Sequence, residues 1–532
     1  MKKLSLLPRK IQTEKLLVFF ILLLGAVLRL AALGCIPGGM HQDEAFTAWN
    51  AFALFHEGMD SAGNHFPVYM ATWGDGQSAL ATWLTTPLLI FSGGHINSFL
   101  SRLPQAVVAI FTLWAVYCLM KRLFGSRAGI WSLFLLAICP WHIVMSRWGL
   151  DANFAPGFLM FGLYFFIRSL EQEKFLPAAA LFYGLSLYCY AVIWPIVPLM
   201  LALQIIYGLC CKKLRINKWS LLSCLLLFLI ALPLIIFVLI NSLDLPQISL
   251  FFITIPRMSG FRGSEVAWSI PEMLHNLRNS FSLLWHQNTG SPYDFLLPWG
   301  LFFDIGRVFI VIGIVALLKN LILKFRSKTF APEFFLFTQL VGGAIVCLQV
   351  TARQHQINAL YIPLVLSEAY GVWAVTEFAL RKKKILGNLI VGGLSAIYLI
   401  CLLLFQWDYY TDYRRLTSAY FAEGLEDCVD FAWEQCQEKG ITTITVEKGA
   451  QWPRLLLYTE TLPSEYLSSV VYDIAPAPAC FETKGIRINT RINYDNINQE
   501  SIYIIYFADV SVFEEDFALT QFHDWYVAVP AR

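Results

Sequence analysis

The chain has 532 residues, of which 57% are hydrophobic and 14% charged, whereas soluble domains average about 25% charged residues. This deficit excludes an ordinary soluble enzyme and predicts a protein that lies largely in lipid. The formal net charge is +2, no basic patch alternates with aromatic residues, and no nucleic-acid partner is predicted. The twelve cysteines lack the spacing of a disulfide framework or a metal-type CxxC pair.

Long apolar segments recur along the first three quarters of the chain. Crossing the bilayer takes about 20 apolar residues. Segments of this kind lie at roughly 16–34, 102–120, 128–146, 154–170, 175–192, 194–211, 219–240, 304–323, 332–350, 357–380 and 385–405. The first has no clear cleavage site, so it is interpreted as a retained span and not as a signal peptide. Segment 78–91 is short and rich in Thr, Trp and Pro, which predicts a helix lying in the membrane interface.

Lysine and arginine clusters orient these spans. They occur at 2–15, 121–127, 212–218, 319–328 and 381–384, and all fall on one side if the chain crosses about eleven times. Because cytoplasmic loops retain such residues, we expect a multi-pass cell-membrane protein with a cytoplasmic N-terminus. Loops 35–101 and 241–303, and the C-terminal tail, then lie outside the cytoplasm.

The tail differs in composition from the rest of the chain. Strand-like runs at 441–446, 502–507 and 525–529 alternate with helix-like runs at 420–439 and 452–458. The expected fold is therefore an all-α polytopic membrane bundle over residues 1–405, followed by a small extracytoplasmic α/β domain over residues 406–532.

On this topology, unusual polar residues collect at the outer face. They are Asp43, Glu44, Asp75, Arg102, Arg147, Asp151, Arg257, Arg262, Arg353 and His355. Ionisable groups near lipid are costly and tend to mark a functional cavity. For any single residue, a polar loop or an arginine that extends to the interface is the better interpretation. For the whole set, a site is favoured.

The adjacent acids Asp43 and Glu44 raise a question of geometry. Neighbouring residues on a helix point about 100° apart, so one carboxylate can face a cavity while the other caps the helix or pairs with a cation. An acidic first turn favoured by the helix dipole is the simpler alternative. His41, two residues earlier, keeps a divalent-cation site open as an alternative, although no metal ligand set and no cofactor are predicted.

Arginines and carboxylates at one membrane face indicate a particular chemistry. Arginine is always charged and binds phosphate in a fork. A carboxylate can accept the proton of an attacking hydroxyl as general base. A departing phosphate needs electrostatic stabilisation rather than an acid. Together these features predict glycosyl transfer from a polyprenyl-phosphate carrier at the outer face.

Four stretches carry a family resemblance. They are HQDEAFTAWNAFAL (41–54), SRLPQAVVAIFTLWAVYCLMKRLFG (101–125), CPWHIVMSRWGLDANF (139–154) and the arginine before a span at 353. In this order they resemble the bacterial family 39-like, phospholipid carrier-dependent glycosyltransferases of the GT-C class, which includes protein O-mannosyltransferases and the aminoarabinose transferase of lipid A. The resemblance covers roughly residues 10–405.

The resemblance implies roles for individual residues. Asp43 would be the general base of an inverting displacement, with Glu44 in support. Arg353 would meet the carrier phosphate together with His355, Arg147 and Arg102, and Asp151 would line the same cavity.

One stretch departs from the family pattern. Relatives often read Gly-Asp-Tyr-Lys-Pro-Pro where this chain has WGDGQSAL (73–80), so Gln77 replaces the lysine and a phosphate contact is in doubt. Asp75, Gln77 and His65 are instead assigned to the substrate cavity.

Two other functions remain open at this stage. A lipid-linked glycan polymerase or ligase would also use arginines of the outer face, and the 241–303 loop gives it some support. A transporter or flippase would favour charges near the bilayer midplane, which this chain does not show. The predicted partners are the lipid bilayer, a polyprenyl-phosphate-linked hexose or pentose, and a glycan, lipid or protein acceptor.

Overall fold

The computed structural model describes residues 9–260 and 266–531. Lys2 and Lys3 of the predicted cytoplasmic cluster, and Arg262 of the predicted outer-face set, lie outside the described residues. The first part of the chain forms these helices: α1 (Arg9–Leu30), α2 (Gln42–His56), α3 (Leu80–Thr85), α4 (Ser98–Phe124), α5 (Ser126–Ile138), α6 (Pro140–Met145), α7 (Ala155–Ser169), α8 (Leu176–Ser186), α9 (Ile196–Cys210), α10 (Lys218–Ser242), α11 (Ile270–His286), α12 (Asp304–Arg326), α13 (Glu333–Gln349), α14 (Tyr361–Lys382) and α15 (Lys384–Asp408). Two small hairpins, β1 (Tyr69–Met70) with β2 (Gln77–Ser78) and β3 (Ile248–Leu250) with β4 (Ile253–Ile255), lie in the loops.

Six helices of the described chain are long and apolar enough to cross a membrane. They are Ser98–Phe124, Ala191–Cys210, Lys218–Ser242, Asp304–Arg326, Asn358–Lys382 and Lys384–Phe421. Helices also form in the other predicted segments, but several are short or interrupted. The segment predicted at 128–146 is split before Pro140, which has no N–H to continue the helical ladder.

The helices α12 and α14 pack closely against each other. A Cβ atom on Gly313 would lie 1.7 Å from the carbonyl oxygen of Ser367, and one on Gly371 would lie 2.3 Å from that of Phe309. These glycines let the two backbones approach closely, as small residues do between membrane helices. In contrast, α10 and α15 expose most of their apolar side chains, which is the pattern of helices at a lipid-facing periphery.

The C-terminal residues form a mixed sheet covered by helices, as predicted. Its elements are α16 (Arg414–Phe421), α17 (Leu425–Lys439), β5 (Thr443–Val446), α18 (Trp452–Tyr458), α19 (Pro463–Ser469), β6 (Val471–Ile474), β7 (Ala477–Thr483), β8 (Ile486–Asn489), β9 (Ile502–Tyr506), β10 (Phe517–Phe522) and β11 (Trp525–Pro530). The strand order is β10-β11-β9-β5-β8-β7-β6, and β5 runs parallel to both of its neighbours.

Two features join this domain to the bundle. A π-helical turn at Tyr409–Tyr413 joins α15 to α16, so a continuous helical segment runs from Lys384 to Phe421, past the predicted domain boundary at position 405. In addition, Phe46 and Trp49 of α2 share a buried core with Trp452 and Leu455 of α18. The first long loop and the C-terminal domain are therefore packed against each other on one side of the bundle.

Candidate active site

The helix α2 places the two adjacent acids in its first turn. His41 caps the helix. Its ring Nδ1 accepts a hydrogen bond from the backbone N–H of Asp43 at 3.3 Å, and its backbone N–H donates to Glu44 Oε2 at 3.4 Å. Because adjacent residues of a helix point about 100° apart, the two carboxylates face different directions. The side chain of Glu44 is 0% exposed, whereas that of Asp43 is 31% exposed.

Glu44 forms a buried ion pair with Arg102 of α4. Arg102 Nε lies 2.7 Å from Glu44 Oε1, and Nη2 lies 3.2 Å from Oε2. The remaining N–H groups of Arg102 donate to the carbonyl oxygens of Leu33, Pro37 and Gly39. These bonds use every N–H of the guanidinium, so a phosphate bound by Arg102 would have to replace one of them. The pair holds the carboxylate of Glu44 in the interior and links α4 to the 33–44 segment.

Arg147 has the same kind of surroundings. It is 0% exposed. Its Nε donates to the hydroxyl of Tyr409 at 2.8 Å, and its Nη atoms donate to the carbonyl oxygens of Leu28, Ala32 and Ile36. Four of its five N–H groups are therefore engaged by the protein. Asp151 is buried too, and its two oxygens accept the backbone N–H groups of Ser78 and Ala152 at 3.0 and 2.8 Å.

Asp43 is held in place and remains partly exposed. The indole N–H of Trp73 donates to its Oδ1 at 2.9 Å, and His41 Nδ1 lies 3.6 Å from its Oδ2. Burial lowers the pKa of His41, so the imidazole is neutral at neutral pH and does not cancel the charge of Asp43. An oriented, partly exposed carboxylate is what a general base requires. Within the described ranges, no group of three or more His, Cys, Asp or Glu side chains is arranged to hold a metal ion.

The short segment 73–77 connects Asp43 to a large cavity. Trp73 binds the carboxylate of Asp43, and Gln77 Nε2 donates to the backbone oxygen of Asp43 at 3.4 Å. Gly74 and Gly76 both have φ of +88°, which lets the backbone turn tightly between these two contacts. Asp75, at the middle of the segment, lines the cavity.

We name this space the Arg353 cavity. Its volume is about 680 Å³, within the range of about 300–1,000 Å³ that is typical of small-molecule sites. Tyr190, Trp194 and Phe237 give it apolar walls, and Asp75 and Arg353 are its charged residues. Arg353 is exposed, and its guanidinium forms no hydrogen bond or ion pair with the rest of the described chain. The available guanidinium and the apolar walls make this cavity suitable for a phosphate that carries an apolar chain.

Two further predicted residues, His355 and His65, differ in their position relative to this cavity. The ring of His355 contacts that of Tyr190, a wall residue, with centroids 6.4 Å apart. His65 is exposed and pairs through its backbone with Met59 and Thr254, and it is not among the residues that line the Arg353 cavity.

The sequence analysis missed Tyr293 and Asp294, which lie in the loop before α12. The ring of Tyr293 is 5.7 Å from that of His41, and burial raises the pKa of Asp294 to about 6 while the charge of Arg353 opposes this rise. These residues therefore lie between the surroundings of Asp43 and those of Arg353. Neither belongs to a motif, and only the polar character of the 241–303 loop could have drawn attention to them.

The described chain thus combines a helical bundle, a partly exposed carboxylate, a cavity that contains an arginine, and a C-terminal sheet domain. Residues 78–237 match the family model described as dolichyl-phosphate-mannose-protein mannosyltransferase. The resemblance inferred from the sequence motifs is thereby confirmed.

Two solved structures have the same fold over almost the whole chain. ArnT from Cupriavidus metallidurans in the apo state is 12% identical, with a TM-score of 0.54, and the match covers 96% of this chain and 97% of that one. The same protein bound to undecaprenyl phosphate gives a TM-score of 0.52 at the same identity and coverage. At this identity the likeness establishes the fold alone. The chain matches no curated protein sequence.

Proposed function

We propose that the chain is an integral-membrane glycosyltransferase that moves a sugar from a polyprenyl-phosphate carrier to an acceptor at the extracytoplasmic face. One observation carries the proposal. The segment 73–77 binds Asp43 through Trp73 and Gln77, and contributes Asp75 to the cavity that holds Arg353. A partly exposed carboxylate and an available arginine are thus arranged around one short segment. The binding of undecaprenyl phosphate by ArnT, which shares this fold, supports a carrier of this kind.

In the proposed reaction, Asp43 accepts the proton of the acceptor hydroxyl as its oxygen attacks the anomeric carbon. The bond from the anomeric carbon to the phosphate oxygen breaks, and the electron pair stays on the phosphate. The carrier phosphate gains one negative charge, which Arg353 stabilises, so no acid catalyst is needed. A direct displacement of this kind inverts the anomeric carbon.

The topology is part of the proposal. We propose about eleven crossings, a cytoplasmic N-terminus and an extracytoplasmic C-terminal domain, in accordance with the basic clusters. Ser468 in the C-terminal domain and Lys383 between α14 and α15 are both exposed and would then lie on opposite sides of the membrane.

This topology predicts a labelling pattern. In a background without the twelve native cysteines, a membrane-impermeant maleimide should label Ser468→Cys in intact cells. It should label Lys383→Cys only after permeabilisation. Labelling of Lys383→Cys alone in intact cells would reverse the orientation.

The reaction is tested by incubating membranes that contain the protein with polyprenyl-phosphate sugars and measuring sugar-dependent release of the carrier. Release confirms transfer. Transport of the intact lipid without release would indicate a flippase, and release only from a lipid-linked oligosaccharide would indicate a polymerase or ligase.

The Arg353→Ala variant tests the phosphate contact. Loss of a charge-assisted hydrogen bond should raise the apparent donor KM about ten- to hundredfold, and more than the acceptor KM. Arg491→Ala removes a comparably exposed arginine from the C-terminal domain and should leave both constants unchanged. A larger rise in acceptor KM than in donor KM would reassign Arg353 to the acceptor.

A further inference from the structure

A second cavity lies where the first long loop, the 257–259 segment and the C-terminal domain meet. Its volume is about 190 Å³. We name it the aromatic cavity, and its side chains include those of Ser61, Arg257, Ser259, Trp452, Tyr466 and Tyr472. Unlike the Arg353 cavity, it has no residue from the long apolar helices.

The aromatic rings form an ordered wall. Trp452 and Tyr466 stack in parallel, with centroids 6.1 Å apart and an angle of 1° between the planes. Both are buried, at 7% and 1% exposed, whereas Tyr472 is 43% exposed. The core supports the two buried rings, so the exposed ring is the adaptable part of the wall.

One donor in this wall has no protein partner. The indole N–H of Trp452 is buried and makes no hydrogen bond within the part of the chain that the structure describes. A buried donor without a partner is unfavourable, and a ligand oxygen or a water molecule would satisfy it. The hydroxyls of Ser61 and Ser259 donate to the backbone oxygens of Ala71 and Gly74, which leaves their lone pairs available as acceptors.

The aromatic cavity also adjoins the proposed general base. The ring of Trp73 lies 5.6 Å from that of Trp452, and its indole N–H binds the carboxylate of Asp43. Gly74 lines the aromatic cavity, and the next residue, Asp75, lines the Arg353 cavity. The segment 73–77 is therefore a wall shared by the two cavities. A Cβ atom on Gly74 would lie 2.7 Å from Ser259 Oγ, so the backbone of Gly74 lies close to the side chain of Ser259.

We propose that the aromatic cavity binds a sugar ring of the acceptor. A pyranose ring has an apolar face that packs on an aromatic ring and hydroxyls that need both donors and acceptors, and this cavity offers all three. The inference rests on the proposed function, because it makes the acceptor a glycan or a glycolipid. The donor then occupies the Arg353 cavity, and the acceptor reaches Asp43 from the opposite side of the segment 73–77.

Saccharide binding can be measured without turnover. The full-length protein is placed in lipid nanodiscs, free of sugar-based detergent and of donor, and saturation-transfer NMR is recorded with a panel of methyl hexosides and pentosides. We expect at least one glycoside to receive saturation, and Tyr472→Ala to weaken its binding about two- to tenfold, the range of an aromatic contact.

Tyr494→Ala is the matched control, because Tyr494 is also 43% exposed in the C-terminal domain but does not line the aromatic cavity. It should bind the glycoside as the wild type does. If no glycoside receives saturation, or if the two variants lose binding equally, the inference is overturned. Transfer to a serine- or threonine-containing peptide that is insensitive to Tyr472→Ala would also overturn it, in favour of a protein acceptor.

The two proposals fail in different ways. Absence of carrier release by the wild type overturns the proposed function, whatever the NMR result. Carrier release with an acceptor KM that Tyr472→Ala does not raise overturns only the acceptor site.

Discussion

Replacement of Asp43 by asparagine is expected to abolish measurable sugar transfer while the protein folds and accumulates normally. Asparagine can still accept the hydrogen bond that Trp73 donates at 2.9 Å, so the local geometry is retained. It cannot accept the proton of an attacking hydroxyl. General-base catalysis contributes about 10²- to 10⁴-fold to rates, and we expect kcat to fall by this factor. The measurement is carrier release from a polyprenyl-phosphate sugar at saturating donor and acceptor.

The control for this variant is Asp412→Asn, which changes an aspartate that is 47% exposed and pairs with Arg415. Its activity should equal that of the wild type. If Asp43→Asn retains the wild-type kcat, Asp43 is not the base. If it loses activity together with yield and thermal stability, the carboxylate has a structural role instead.

The helical period predicted that the side chains of Asp43 and Glu44 would point in different directions, but not which of them would be buried. That outcome depends on Arg102, which reaches Glu44 from α4, 58 positions along the chain. A contact between residues this far apart cannot be recognised from a local sequence pattern. The resemblance to known transferases placed both acids in the site, and only the packing separates the exposed Asp43 from the fully buried Glu44.

The three predicted phosphate-binding arginines differ in the structure for a related reason. Arg102, Arg147 and Arg353 all occur near the predicted outer ends of spans, so they look alike in the sequence. In the structure, α1 ends at Leu30, and the irregular segment that follows presents carbonyl oxygens without helical partners. Arg102 donates to the oxygens of Leu33 and Pro37, and Arg147 donates to that of Ile36, which need partners because these residues are buried. Arg353 makes no such bonds among the described residues and remains available.

The fold was more predictable than the site. The strands β5, β9 and β11 and the helices α17 and α18 lie within a few residues of their predicted positions, because hydrophobic periodicity determines them locally. The contact between α2 and α18 was not predictable. It joins residues about 400 positions apart. The ring contact between Trp73 and Trp452 lies beside it.

The second large effect is expected at Arg102. Arg102→Ala would leave the carboxylate of Glu44 buried without a counter-charge and would remove the donors to Leu33, Pro37 and Gly39. Removing one partner of a buried ion pair costs about 3–5 kcal/mol. We therefore expect low yield and a large fall in thermal stability, measured on detergent-solubilised protein with and without carrier lipid. Arg415→Ala, which breaks an exposed pair, should cost about 0–1 kcal/mol.

A double-mutant cycle separates this structural role from catalysis. Glu44→Gln and Arg102→Met should each be strongly destabilising, and the double variant should be less destabilised than the sum of the two, because it contains no unpaired buried charge. Any double variant that folds should then retain Asp43-dependent transfer. Independent, additive effects of the two substitutions would show that the ion pair does not stabilise the 33–44 segment. A stable Glu44→Gln protein without activity would return Glu44 to the catalytic machinery, since loss of function without loss of stability is the result expected for Asp43 alone.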